Sequence, residues 1–227
     1  MKQKLRNLLF SLPCLLLLTG CNKEIVEPEV IDSEYDIKYY AKPPHSSEQQ
    51  GYLYAKSNDE RDFIELSAVS EPPFTLIVSV SDKKGQEALD FIKSKEDSPL
   101  ISIQDLNPGQ EAAPKSYRVV STKYFQSRHF FVSECFRTQQ MAAGTYDISV
   151  QPFITIKMHA GQDVKTVEDF YNGVIRLQQE NDDGTYLFSC TYKTSYEVLM
   201  LTIHIFDQLE VAWAEPSMQG GIIVSNK

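Results

Sequence analysis

The sequence is poor in the residues that hold metals, grip nucleic acid or cross a bilayer. It has only four histidines, His45, His129, His159 and His204, and no two of them stand at metal-ligand spacing. No metal site and no cofactor are therefore expected. His204 lies in an apolar run and reads as a hydrogen-bonded core histidine, whereas His45 sits in a polar loop and reads as solvated. Basic residues are too few for a phosphate-binding face: 22 Lys and Arg stand against 31 Asp and Glu, a net charge of −9. That balance excludes nucleic acid as a partner. No internal apolar run approaches the roughly 20 residues that a membrane-spanning helix needs. Cysteine is limited to Cys14, Cys21, Cys135 and Cys190, and tryptophan to Trp213.

What is present begins with a secretory signal. Lys2, Lys4 and Arg6 precede an apolar stretch, Leu8 to Leu18, broken only by Ser11 and Pro13. It ends in Leu18-Thr19-Gly20-Cys21, which resembles a bacterial lipobox. The resemblance implies a diacylglycerol on the Cys21 sulfur, cleavage before Cys21, and acylation of the new amine with a fatty acid such as palmitate. One acyl chain holds a membrane only marginally and two or more hold it stably, so the expected partner here is the membrane itself. Removing residues 1–21 takes three of the 22 basic residues and no acidic one, leaving 19 against 31 and a net charge of −12. Residues 22–34, acidic and proline-containing, read as a tether. Asn22 is not the aspartate of the inner-membrane retention signal, which favours the outer membrane of the cell envelope.

Residues 35–150 read as a mixed, β-rich domain. Tyr35 to Tyr40, Tyr52 to Tyr54 and Phe63 to Leu66 are short strand candidates. A clearer unit follows Pro72-Pro73. Phe74 to Val80 is strongly β-prone, Ser81-Asp82 can cap a helix, and Ala88, Leu89, Phe91 and Ile92 give that helix an apolar face. Leu100 to Gln104 is the next strand, and Asn107-Pro108-Gly109 turns the chain. Tyr117 to Ser121 and His129 to Phe136 are two further strands. This strand-helix-strand order resembles the start of the next unit, offset by 79 residues from Phe74 to Phe153.

Residues 151–227 carry the pattern on which the chain is organised. Phe153 to Met158 alternates like a strand with one buried face. Val164, Val167 and Phe170 follow at helical spacing. Val174 to Gln179, the turn Asn181-Asp182-Asp183-Gly184 and Thr185 to Thr191 make a hairpin. Thr194 and Glu197 have capping-box spacing ahead of a run that continues to Gln208, although Val198 to Phe206 is apolar enough for a buried strand. Val211 to Pro216 closes the unit, and Trp213 in it reads as a core residue. The fold class is α+β, with a ferredoxin-like βαββαβ C-terminal domain behind the β-rich one.

These residues resemble the N-terminal prodomain of subtilisin-family serine proteases. The opening strand, the glycine after it (Gly161), the acidic helix start at Asp163, Gly184-Thr185-Tyr186-Leu187 and the closing Glu210-Val211-Ala212-Trp213-Ala214-Glu215-Pro216 carry the likeness. It covers Phe153 to Pro216, a little over a quarter of the chain, and implies helix rather than strand for the run after Thr194. It also implies that residues 35–150 resemble an added module ahead of such a prodomain. The protease itself is not expected. Asp-Ser-Gly, Asp-Thr-Gly, His-Gly-Thr and Gly-Thr-Ser-Met are all missing, Gly144-Thr145 and Gly184-Thr185 are each followed by tyrosine, and the chain ends at Lys227. No catalytic residue is assigned, and the chain is not read as an enzyme.

The resemblance implies a lipid-anchored, free-standing prodomain that binds, inhibits or helps to fold a subtilisin-like protease. Its partner-binding residues would be Met218, Gly220, Gly221, Ile222 and Ile223, in a tail that leaves the sheet after Pro216 and lies in the protease cleft. Other readings are an envelope lipoprotein that binds a glycan or another protein, and a degenerate remnant of a subtilase precursor. Two cysteines remain after processing and lipidation, Cys135 and Cys190. Both lie in strand candidates, either as a disulfide, which an exported compartment permits, or as two buried thiols.

Overall fold

A computed structural model describes residues 28–44, 52–56, 62–68, 72–109, 114–138 and 146–222. The fold is α+β and strand-dominated. The first region holds β1 (Glu29–Asp32), β2 (Ile37–Tyr40), β3 (Tyr52–Lys56), β4 (Asp62–Ala68), β5 (Phe74–Val80), α1 (Lys83–Ser94), β6 (Leu100–Asp105), β7 (Lys115–Ser121), β8 (Tyr124–Gln126) and β9 (Phe131–Thr138). The second holds β10 (Tyr146–Met158), α2 (Lys165–Phe170), β11 (Ile175–Glu180), β12 (Thr185–Cys190), α3 (Ser195–Phe206) and β13 (Val211–Ile222).

In the first region, β5 lies between β9 and β7, and β7 pairs with β6, all antiparallel. Asp82 caps α1 by accepting a hydrogen bond from the Gly85 N–H at 2.8 Å. Ala88, Leu89 and Ile92 then face the sheet residues Phe74, Leu76, Val78 and Val119, while Phe91 is half-buried under the Tyr35 ring. The same core is closed by a small sheet ordered β1-β2-β8, which supplies Ile37, Tyr39, Tyr40, Tyr124 and Phe125. Two of its strands depart from the sequence reading. Residues 29–32 lie in the segment read as a tether, yet they pair with β2. β8 is only three residues long and has no periodicity to announce it.

In the second region the spatial order is β13-β10-β12-β11, again antiparallel throughout. The first region runs β9-β5-β7-β6. Taken in order along the chain, both sets of four strands have the fourth beside the first, the first beside the third, and the third beside the second. Where the second set has α3 between its third and fourth strands, the first has β8. α3 starts in a full capping box, with Thr194 Oγ1 accepting from the Glu197 N–H while the Glu197 carboxylate accepts from the Thr194 N–H. Its Val198, Leu199, Leu201 and Ile205 bury against Ile154, Ile156, Phe188, Val211 and Ala214. α2 departs from its expected face: Val167 and Tyr171 are buried, and Phe170 is 67% exposed. The hairpin turn is as read, with Gly184 at φ 71, where a side chain would be strained.

The two regions share one ten-stranded sheet. β10 starts at Tyr146, well before Phe153, and so runs through the boundary expected between residues 150 and 151. Along one edge its first half pairs with β9 and its second half with β12. Where the two partners diverge, the Val150 N–H is satisfied by Ser133 Oγ at 2.9 Å.

Candidate functional site

Alternation along the second set of strands separates two faces. Ile154, Ile156, Phe188 and Ala214 point to the helices and are fully buried. The residues between them point the other way, where neither α2 nor α3 packs. Phe153 is registered against Ser189, Thr155 against Leu187 and Glu215, and Lys157 against Trp213. All seven are half-buried. This face is thus a shallow apolar patch of Phe153, Leu187 and Trp213, set among Thr155, Lys157 and Glu215. Lys157 also donates to the Asp183 carbonyl, which fixes its position at the hairpin end. Trp213 is therefore not the core residue it was expected to be. Its neighbours Val211 and Ala214 take that role, and the indole lies on the opposite face of the same strand.

The C-terminal tail does not leave the sheet after Pro216. β13 continues to Ile222, with Met218 opposite Val150, Gly220 opposite Ile148, Gly221 opposite Asp147 and Ile222 opposite Tyr146. Pro216 falls at the irregularity between the Ile154 and Val150 pairings, a position where a missing N–H is tolerated within a continuing ladder. The backbone of Met218, Gly220, Gly221 and Ile222 is thus engaged within the chain. Ile223 and Cys21 lie outside the described residues.

Cys135 and Cys190 are placed as separate thiols, the first buried and the second half-buried. Cys135 is buried on β9, and Cys190 ends β12 opposite Ile175. Burial, reinforced by the Glu197 charge, pushes the Cys190 thiol up to about 12, which leaves it protonated and unreactive at neutral pH. His204 is on the exposed side of α3 rather than in the core, with Nδ1 at 2.8 Å from Tyr171 Oη. Among the described residues no group of three or more His, Cys, Asp or Glu side chains is placed to hold a metal ion. No described helix is long and apolar enough to cross a membrane.

One buried acidic group escaped the sequence reading. Glu134 on β9 is 5% exposed and accepts a 2.6 Å hydrogen bond from Ser195 Oγ at the first residue of α3. Burial raises its carboxyl above the ordinary range, and the Ser195 hydroxyl partly offsets this. The alternation of β9 shows a glutamate between Val132 and Phe136, but nothing in the sequence shows that α3 begins against it.

Comparison of the chain with protein families, with curated proteins and with solved structures gives no match.

Proposed function

We propose that this chain is a non-catalytic, lipid-anchored protein of the bacterial cell envelope. Its second region is a ferredoxin-like βαββαβ unit that docks on a subtilisin-family protease. The observation that carries this reading is the helix-free face bearing Phe153, Leu187 and Trp213 on the order β13-β10-β12-β11. A sheet with helices on one side only presents its other side as a ready surface. An aromatic anchor among half-buried apolar neighbours is the usual centre of a protein interface. The Ala214-Glu215-Pro216 closing motif supplies the protease class. Because β13 pairs as far as Ile222, docking rests on the sheet face rather than on a substrate-like tail. Cys21 is the proposed lipid attachment point.

The test is inhibition of a secreted subtilisin-family protease by the purified chain and by Trp213→Ala. Loss of a central aromatic anchor costs about 2 kcal/mol or more, so inhibition should weaken roughly 30-fold while thermal unfolding shows the variant still folded. Equal inhibition by both proteins would remove the sheet face from the account. Absence of inhibition by the unmutated chain would remove the protease.

A further inference from the structure

We propose that the recess between the small β1-β2-β8 sheet and the first turn of α3 binds a small oxyanion of the size of an acidic monosaccharide. The recess is open to solvent, has a volume of about 360 Å³ and is lined by Lys38 and Tyr40 of β2, Gln126 at the end of β8, Arg128 just after it, and Lys193 and Thr194 just before α3. That volume is at the small end of ligand sites and suits one sugar ring.

The charge in the recess is what selects the ligand. Two carboxylates line it, each engaged from within through one oxygen. Glu197 accepts from the N–H groups of Lys193 and Thr194 and from the Thr194 hydroxyl, at 3.1, 3.1 and 2.9 Å. Asp36 lies 3.4 Å from Lys38 Nζ. Arg128 and Lys193 also line the recess. Lys193 Nζ has no described side chain as a partner. Arg128 spends Nε on His129 Nε2 at 3.1 Å and one contact, at 3.5 Å, on the Glu34 carbonyl. The other donors of its five-donor fork remain for a carboxylate or phosphate. The positive pole of α3 is already met by the Glu197 carboxylate of its capping box. The lining carries three cations against two carboxylates, a small local excess of positive charge in a chain of net charge −9. Tyr40 Oη donates to Gln126 Oε1 at 3.2 Å and Gln126 Nε2 to Tyr124 Oη at 3.4 Å, which fixes the polar floor that a sugar ring would meet. The site is separate from the helix-free sheet face, since α3 packs on the other side of that sheet, and it does not depend on protease docking.

Isothermal titration of the purified full chain tests this, with glucuronate as the probe, glucose as its neutral counterpart and inorganic phosphate as competitor. Glucuronate should bind saturably and phosphate should displace it. Added sodium chloride should weaken the binding, and glucose should show none. Both side chains would donate charge-assisted hydrogen bonds to the ligand, so Arg128→Ala with Lys193→Ala should lose at least tenfold in affinity. Unchanged thermal unfolding of that double variant shows that the fold persists. Glucose binding as tightly as glucuronate, failure of phosphate to compete, equal affinity in the double variant, or no binding of glucuronate would each overturn the proposal.

Discussion

The hydroxyl of Tyr39 is buried without a hydrogen-bond partner among the described residues, although its ring packs into the core beneath Lys123 Nζ. Burial, reinforced by Asp97 and Glu29, pushes the phenol up to about 12, so it stays neutral and gains nothing from ionising. Tyr39→Phe removes an unsatisfied polar atom and keeps the ring. It should raise stability by about 1 kcal/mol in urea unfolding, and a loss of stability would mean that the hydroxyl has a partner after all. Glu134 gives a prediction with a pH sign. Its folded carboxyl titrates above the ordinary value of 4.5, so between the two values the folded state holds the extra proton. Its contribution is fully present below pH 4.5 and is lost as pH rises through the folded value. Glu134→Gln cannot ionise. Its melting temperature should match that of the unmutated chain at pH 4 and exceed it at pH 8. Parallel profiles for the two proteins would show that Glu134 titrates normally.

Elements with strong local signals were legible, and those made by long-range pairing were not. β5 and α1 follow from a β-prone run and an aspartate cap, each complete within a dozen residues, and the capping box points to α3 although its apolar run also suits a buried strand. β8 owes its existence to partners 84 to 88 residues away, while β1, whose partners lie only 5 to 10 residues away, has no apolar alternation in Glu29 to Asp32 to mark it. The same cause hid the true length of β13. Gly220-Gly221 looks like a point of departure, and only the upstream half of β10 reveals it as a ladder segment. Deleting residues 217–227 removes five register pairs and the half-buried Met218. That loss is on the order of 3 kcal/mol and should lower the melting temperature by roughly 6–12 °C. An unchanged melting temperature would mean that the end of β13 is dispensable.

At the scale of the molecule, the repeated spatial order β9-β5-β7-β6 and β13-β10-β12-β11 is the least sequence-visible feature, with only the 79-residue spacing of Phe74 and Phe153 to suggest it. A small sheet in one region and a helix in the other complete the two cores with different residues, so the likeness is in topology and not in side chains. The candidate face was only partly legible. The sequence singles out Trp213, but alternation alone does not say which side of β13 the helices cover. The most direct test uses the fact that Trp213 is the only tryptophan. A chain labelled with 5-fluorotryptophan should give one ¹⁹F resonance from the centre of the proposed interface. Titration with an active-site-blocked subtilisin-family protease should shift or broaden that resonance saturably at one equivalent. A resonance that stays unchanged through excess protease would contradict docking through this face.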